Sequence, residues 1–537
     1  MKYLLVSAFS FVCSFCLVLV TPQETETKKF EVIVRGQNII QNVVLKSEDA
    51  TQKTFYSFNR SDYFCIRTIV RAYVGKSYLD FWVYVTMGHT QESRPILPRE
   101  YLDLRITGGS TIVLDDPPTG ASVYHGQGLP MKHFRYNLLT DSFDKPESVF
   151  LIPKQETIAP WFTPSMPHPW IRDYDKALYD LRCRDDKTYD NFEASRYTPR
   201  FPGKTGLQDQ FGTYILKPEI FAGMVLMDPW RKQLYQEGCR PGHHLHPDGR
   251  RVTDIEYPTL VEGAPAFHGL AGKSWINYTD PRNTWRDVPH ITPKWRGWDP
   301  QHWSLNALCQ TYILTKDPGL EMLLEDLVET WMFYNPVIKK GTSHHIPGSA
   351  RAKGRVIEAG CSLAWALKDK PVFNRIKNRV EDLLQLQINM WHDERNSGKT
   401  GLYVRNNELS IWQHALWVKG LSAGYTLVAK DNPAMKKDIT DMGLYITKWI
   451  LNNFVWWGDK WGIPYTVDIN GKYNSTSPSM TLSRWCLPAL ELLSQADPNM
   501  VSNSDIKKLG AILNQFIPGP MPANEGWAKD NYKWRML

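Results

Sequence analysis

Apolar residues recur at three- and four-residue spacing through eight stretches of the second half of the chain: Gln301 to Leu314, Leu320 to Tyr334, Arg351 to Leu367, Val372 to Trp391, Ile411 to Ala429, Met435 to Phe454, Leu482 to Leu493 and Ser504 to Phe516. That spacing puts the apolar side chains on one face of an α-helix. Four intervals between stretches are short and end on Asp and Pro: Lys316-Asp317-Pro318, Lys368-Asp369-Lys370-Pro371, Lys430-Asp431-Asn432-Pro433 and Ala496-Asp497-Pro498, with the aspartates 52, 62 and 66 residues apart. Lys complements the negative end of the finishing helix. Asp or Asn caps the next one, and Pro is at ease in its first turn, where no amide donor is needed. A long period with a helix on each side predicts a repeated helical hairpin. Hairpins that cannot bury their apolar faces alone must stack, so residues 291–537 are predicted to form an (α/α) toroid or an incomplete one.

The first part of the chain has a different period. Phe30 to Val34, Cys65 to Val74 and Leu79 to Val85 alternate β-branched or aromatic residues with polar ones, and Val74-Gly75-Lys76-Ser77 reads as a hairpin turn. Residues 23–135 are therefore expected to be a β-sandwich domain. Residues 136–290 show neither period and are rich in Pro, Gly, Trp and His, which predicts a connecting region of loops packed on the toroid. The fold class is thus multidomain, a β-sandwich followed by a helical toroid.

The helix connections alternate in kind. The Asp-Pro turns are tight, whereas Asn335 to Ala350, His392 to Ser410 and Val455 to Thr481 are long. Connections at one end of a stacked array share a face, so one face carries the long loops, where function tends to sit on a rigid scaffold. The chemistry-bearing residues fall beside those loops, at the N-terminal ends of helices: Trp298, Asp299, His302 and Trp303; His345, Arg351 and Arg355; Tyr403, Asn407, Glu408, Trp412, Gln413 and His414; Tyr465, Arg484 and Trp485. Helix N-termini carry partial positive charge. A rim of Trp, His, Arg and helix N-termini suits an anionic, hydroxyl-rich ligand such as a uronate-containing sugar. Plainer roles compete with this reading: each Trp serves equally as core, Asp299 before Pro300 is a good helix cap, and His302 and His414 suit buried structural positions.

Composition narrows the classes. The 537 residues include 21 Trp and 25 Tyr, flat side chains that suit sugar stacking and also fill cores, and the net charge is +7. That charge suits an acidic polymer, and the absence of clustered basic runs speaks against nucleic acid. Residues 1–22 have the layout of a signal peptide or, given the long apolar run from Tyr3 to Val20, a signal anchor. The body is therefore expected to be secreted or extracytoplasmic, with no later segment long and apolar enough to span a membrane. Beyond that leader Cys309, Cys361 and Cys486 lie in helical patterns and read as buried thiols, while Cys183 and Cys239 in loop-like sequence are the better disulfide candidates. His243, His244, His246 and Asp248 alternate donor types in a way that suits a divalent metal, but without the spacing of a known zinc motif. The chain beyond residue 22 has no His-Glu-x-x-His and no Cys-x-x-Cys.

A β-rich part followed by stacked helical hairpins resembles the carbohydrate-active enzymes with an (α/α) barrel, among them polysaccharide lyases and glycoside hydrolases. The phrase Leu308-Cys309-Gln310-Thr311-Tyr312-Ile313-Leu314-Thr315-Lys316-Asp317-Pro318 is similar to a turn of that group in which Gly stands where this chain has Lys316. Arg67 to Phe81 is similar to the β-domain of exo-rhamnogalacturonan-lyase-like proteins. No family catalytic motif matches residue by residue, so the roles come from this chain's own residues. β-Elimination on a uronate needs a cation for the carboxylate, a base for the C5 proton and an acid for the leaving oxygen. Arg351 or Arg355 with Asn407 or Gln413 suits the first, His302, His345 or His414 the second, and Tyr403 or Tyr465 the third. A glycoside hydrolase would instead use two carboxyls, Asp299 and Glu408. A non-catalytic glycan-binding surface protein would need only the Trp-lined face, with Trp298, Trp303, Trp412, Arg484 and Trp485.

Overall fold

The computed structural model describes residues 30–34, 37–40, 44–60, 64–87, 97–98, 102–106, 111–113, 122–123, 132–144, 316–335, 349–404, 407–453, 455–457, 460–464 and 466–469, with single positions between 305 and 313 and between 486 and 504. The leader, the 136–290 region beyond Asp144, Cys183, Cys239 and the His243 to Asp248 cluster lie outside them.

The N-terminal part is antiparallel. Strands β1 (Phe30–Val34), β2 (Gln37–Ile40), β3 (Val44–Glu48), β4 (Gln52–Arg60), β5 (Phe64–Tyr73), β6 (Tyr78–Met87), β7 (Leu97–Pro98), β8 (Leu102–Ile106), β9 (Thr111–Val113), β10 (Ser122–Val123), β11 (Lys132–Asn137) and β12 (Ser142–Asp144) follow in chain order. They form a six-stranded sheet ordered β12-β11-β6-β5-β4-β3, a four-stranded sheet ordered β2-β1-β8-β9, and the pair β10-β7. The hairpin between β5 and β6 turns at Gly75, whose φ of 73° is the left-handed conformation that glycine adopts without a Cβ penalty. Alternation gives the six-stranded sheet two distinct faces. On one, Phe55, Val70, Leu79, Phe81, Phe134 and Tyr136 are buried. On the other, cross-strand neighbours Tyr56, Ile69 and Trp82 pack on the helical core.

The second part is helical: α1 (Pro318–Tyr334), α2 (Ala350–Ala366), α3 (Phe373–Asn396), the two-residue strand β13 (Glu408–Leu409), α4 (Ile411–Leu427), a 3-10 turn (Ala429–Asp431) and α5 (Pro433–Asn452). Short strands β14 (Val455–Trp457), β15 (Lys460–Gly462) and β16 (Val467–Asp468) come next. Cys309, Tyr312 and Ile313 are helical and buried, and Ala489, Leu492 and Ala496 are also helical. Cys309, Cys361 and Cys486 are buried free thiols, and among the described residues no helix is long and apolar enough to cross a membrane.

The Asp-Pro turns work by different means. Asp317 caps α1 by accepting from the Gly319 and Leu320 amides at 2.8 and 3.0 Å, with Pro318 opening the helix. A cap of this kind contributes about 1 kcal/mol. The residue before it, Lys316, has φ 50°, so it occupies a left-handed position at the cost that a side chain brings there. At the third turn Asn432 rather than Asp431 is the cap, accepting from the Met435 amide. The second turn departs from expectation: α3 begins after Val372, which has no side-chain cap, so Asp369 and Pro371 only end α2. The helix also runs five residues past the expected Trp391, to Asn396.

Helices α2 and α4 run parallel in direct backbone contact. Arg351 meets Trp412, Lys353 meets Trp417 and Glu358 meets Lys419, so the two helices advance together. A Cβ on Gly354 would strike the backbone of Leu416 and Trp417, and one on Gly420 would strike Gly354. Only glycines allow two helices to approach this closely. Helix α3 packs beside them, with Gln387 Nε2 donating to the Lys353 carbonyl at 3.2 Å. Helix α1 packs on α2, where the Trp331 indole donates to the Val356 carbonyl at 2.9 Å, and Arg379 of α3 donates to the Met332 and Asn335 carbonyls at the end of α1. The sheet is bolted to this unit at the cap of α1: Trp82 Nε1 donates to Asp317 Oδ2 at 3.3 Å, and Lys46 pairs with Glu321 at 3.4 Å.

Candidate functional site

Because α2 and α4 are parallel, their first turns lie at the same end of the helix pair. Ser349 caps α2 by accepting from the Ala352 amide at 3.1 Å, and α4 starts after Ser410. Between the two N-termini the half-buried Arg351 places its guanidinium 4.9 Å from the centre of the buried Trp412 ring. Gln413 is half-buried in the first turn of α4. Asn407 is exposed with φ 60°, and Glu408 is exposed on β13, where it pairs in register with Asp468 of β16.

Deeper on the seam lies an ion cluster. Glu358 accepts Lys419 Nζ at 2.6 Å and faces Arg355 at 3.7 Å, with all three buried. Arg355 was expected to reach a ligand carboxylate. The structure instead commits it to this buried cluster, where its side chain is 1% exposed.

On the other side of the seam sits a group that the sequence alone did not single out. Lys353 is 6% exposed, yet its Nζ faces two rings, 4.4 Å from the centre of Trp417 and 5.7 Å from that of Tyr403. No oxygen of a described residue accepts from it. Burial holds its pKa below the ordinary lysine value, since removing an ammonium from water disfavours the charged form, and the charge of Glu394 only partly offsets this. Gln387 fixes the cage from behind: its Nε2 holds the Lys353 carbonyl while its Oε1 accepts from the Trp417 indole at 2.7 Å.

His414 completes the group, in a role other than the expected base. Its Nε2 accepts from the Tyr403 amide at 3.1 Å, so the ring proton sits on Nδ1, which donates to the Ser410 carbonyl at 2.8 Å. Both nitrogens are spent on backbone, and the ring is fully buried with Trp449 5.1 Å away. Burial brings its pKa down to about 4, with the neighbouring Lys353 adding to the shift, so the ring is neutral at ordinary pH. It is a strut that fixes the backbone at Tyr403 and so holds that phenol ring near Lys353.

Of the residues expected at the rim, the structure brings together Arg351, Trp412, Gln413, Tyr403 and His414. Asp299, His302, Trp298, Trp303, His345, Tyr465, Arg484 and Trp485 lie outside the described residues. The residues that reading missed are Lys353, Gln387, Trp417, Glu358 and Lys419. Their available signal was a charge set inside an apolar helical stretch, as Lys419 is between Val418 and Gly420. Among the described residues no group of three or more His, Cys, Asp or Glu is arranged to hold a metal ion. A scan of protein-family models finds no match to the chain, and searches of curated proteins and of solved structures find none either.

Proposed function

We propose that the protein is an extracytoplasmic polysaccharide lyase that cleaves a uronate-containing acidic polysaccharide by β-elimination. The reading is carried by one observation: two parallel helices open side by side, with Arg351 over Trp412 between their N-termini. A guanidinium beside two positive helix ends suits a carboxylate, and the indole suits the apolar face of a sugar ring. Neutralising the uronate carboxylate lowers the cost of the carbanion-like charge that grows at C5, which is the main electrostatic demand of this reaction. Tyr403, whose backbone His414 anchors, is the acid for the departing oxygen. A hydrolase is less well supported, because Glu408 is exposed on a two-residue strand and Asp299, the second carboxyl it would need, lies outside the described residues.

The test is to incubate the full chain with polygalacturonate, alginate and a glycosaminoglycan, reading both ultraviolet absorbance from unsaturated ends and new reducing ends. Both signals together are the expected result, and Arg351→Ala should lower kcat/KM by about 100-fold or more, the scale of losing one charge-stabilising donor. Reducing ends without ultraviolet absorbance would establish hydrolysis. Saturable binding with neither signal would establish a binding protein.

A further inference from the structure

We propose that Lys353 is the proton acceptor of this site, the role that histidines were expected to fill. The inference rests on the elimination reading above and names its base. Three observations support it.

The first is placement. Lys353 lies in the opening turns of α2, at the same end as Arg351, and its Nζ sits beside the ring of Tyr403. The second is the cage. An ammonium over the faces of Trp417 and Tyr403 gains cation–π attraction, but among the described residues no carboxylate or carbonyl oxygen hydrogen-bonds to Nζ, and Glu394 acts on it only through its charge. The amine is thereby held where its neutral form is accessible, as a general base requires. The third is the bracing. Gln387 locks both the Lys353 backbone and the Trp417 indole, and His414 locks the Tyr403 backbone, so both walls of the cage are fixed by buried hydrogen bonds. Support of this kind is what a site needs in order to hold a reacting group in place.

The step balances without an outside reagent. The neutral Lys353 amine takes the C5 proton, and the C5–H electron pair becomes the C4–C5 double bond. The C4–O bond breaks, and the leaving oxygen takes the phenol proton of Tyr403. The Lys353 ammonium and the Tyr403 phenolate then exchange a proton through water, which restores both. The titratable groups facing Lys353 are Glu394 of α3, His414 of α4 and Tyr403 of the loop, and His414 is neutral through the working range.

Two measurements on the full chain test this. The first compares Lys353→Met and Lys353→Arg on whichever polymer of the panel yields unsaturated ends. Both should lose kcat by about 100-fold or more, the usual scale of a lost general base. Arg keeps the charge but does not deprotonate, so rescue by Lys353→Arg would show a carboxylate-binding role and overturn the base assignment. The second measures acetylation by acetic anhydride against pH, read by mass spectrometry. The labelling midpoint of Lys353 should fall below that of the exposed Lys76 in the same sample, whether or not a substrate is known. Coincident midpoints would overturn the proposal. If no polymer gives unsaturated ends, the elimination reading and the base role fall together. If such ends form and Lys353→Met keeps its kcat, with circular dichroism unchanged, the base role alone falls.

Discussion

Two lysines are buried along the seam between α2 and α4, and the protein treats them in opposite ways. Lys419 meets the Glu358 carboxylate at 2.6 Å, with Arg355 on the same acid. Lys353 meets the faces of Trp417 and Tyr403. The first arrangement compensates a buried charge, and removing either partner would leave the other stranded. The second leaves the charge poorly compensated, which costs stability and favours the neutral amine. A fold that keeps such a cost at the shared N-terminal end of two helices, braced by Gln387 and His414, has the character of a candidate functional site. The Lys419 cluster, deeper on the same seam, has the character of a structural tie.

This contrast can be broken by experiment. The largest effect is expected from Glu358→Gln, which removes the carboxylate shared by Lys419 and Arg355. It should lower unfolding stability by about 4 kcal/mol, read from the urea midpoint. Gly420→Ala should follow, because its Cβ strikes the Gly354 backbone and forces the helices apart, disturbing both lysines at once. A loss of about 3 kcal/mol is expected from overpacking of this kind. A wild-type midpoint in either variant would mean that the seam is not as tight as described.

The pH dependence separates the two sides further. His414 titrates at about 4 in the folded chain against 6.5 for the free side chain. The unfolded chain therefore binds the extra proton between those values, so the stability from this group is fully present above pH 6.5 and is lost as pH falls toward 4. The loss should total about 3 kcal/mol, and His414→Gln should flatten the stability profile across that window. A slope unchanged by His414→Gln would show that the ring is not held neutral. The smallest effect is expected from Lys353→Met, which removes a poorly compensated charge at similar volume. Stability should hold or rise by about 1 kcal/mol, opposite in sign to Glu358→Gln, while acid–base function is lost. Equal destabilisation by both variants would end the distinction between the two lysines.

Some of this was legible in the chain because its causes are local. Three- and four-residue spacing located α1, α2, α4 and α5 to within two residues, since a helix's apolar face is set by its own periodicity. Asp317-Pro318 and Asn432-Pro433 announced two helix starts, because a cap needs only the next three residues. Gly75 marked the β5–β6 hairpin for the same reason. The start of α3 was also placed within one residue, but its end was not: the helix continues five residues past Trp391, to Asn396.

The roles within the site belong to the second kind of information. His414 looked like a base until the amide of Tyr403, eleven residues earlier in the chain, was found on its Nε2. Arg355 looked like a ligand contact until Glu358 and Lys419 were found beside it. Lys353 had no assigned role in the sequence; it gained one only where two glycines let α4 close against α2 and bring Trp417 beneath it. Periodicity and capping act over a few residues and can be read from the chain. Whether a polar side chain becomes a strut, a tie or a reagent depends on partners that only helix packing brings within a few ångströms, and on the water which that packing removes.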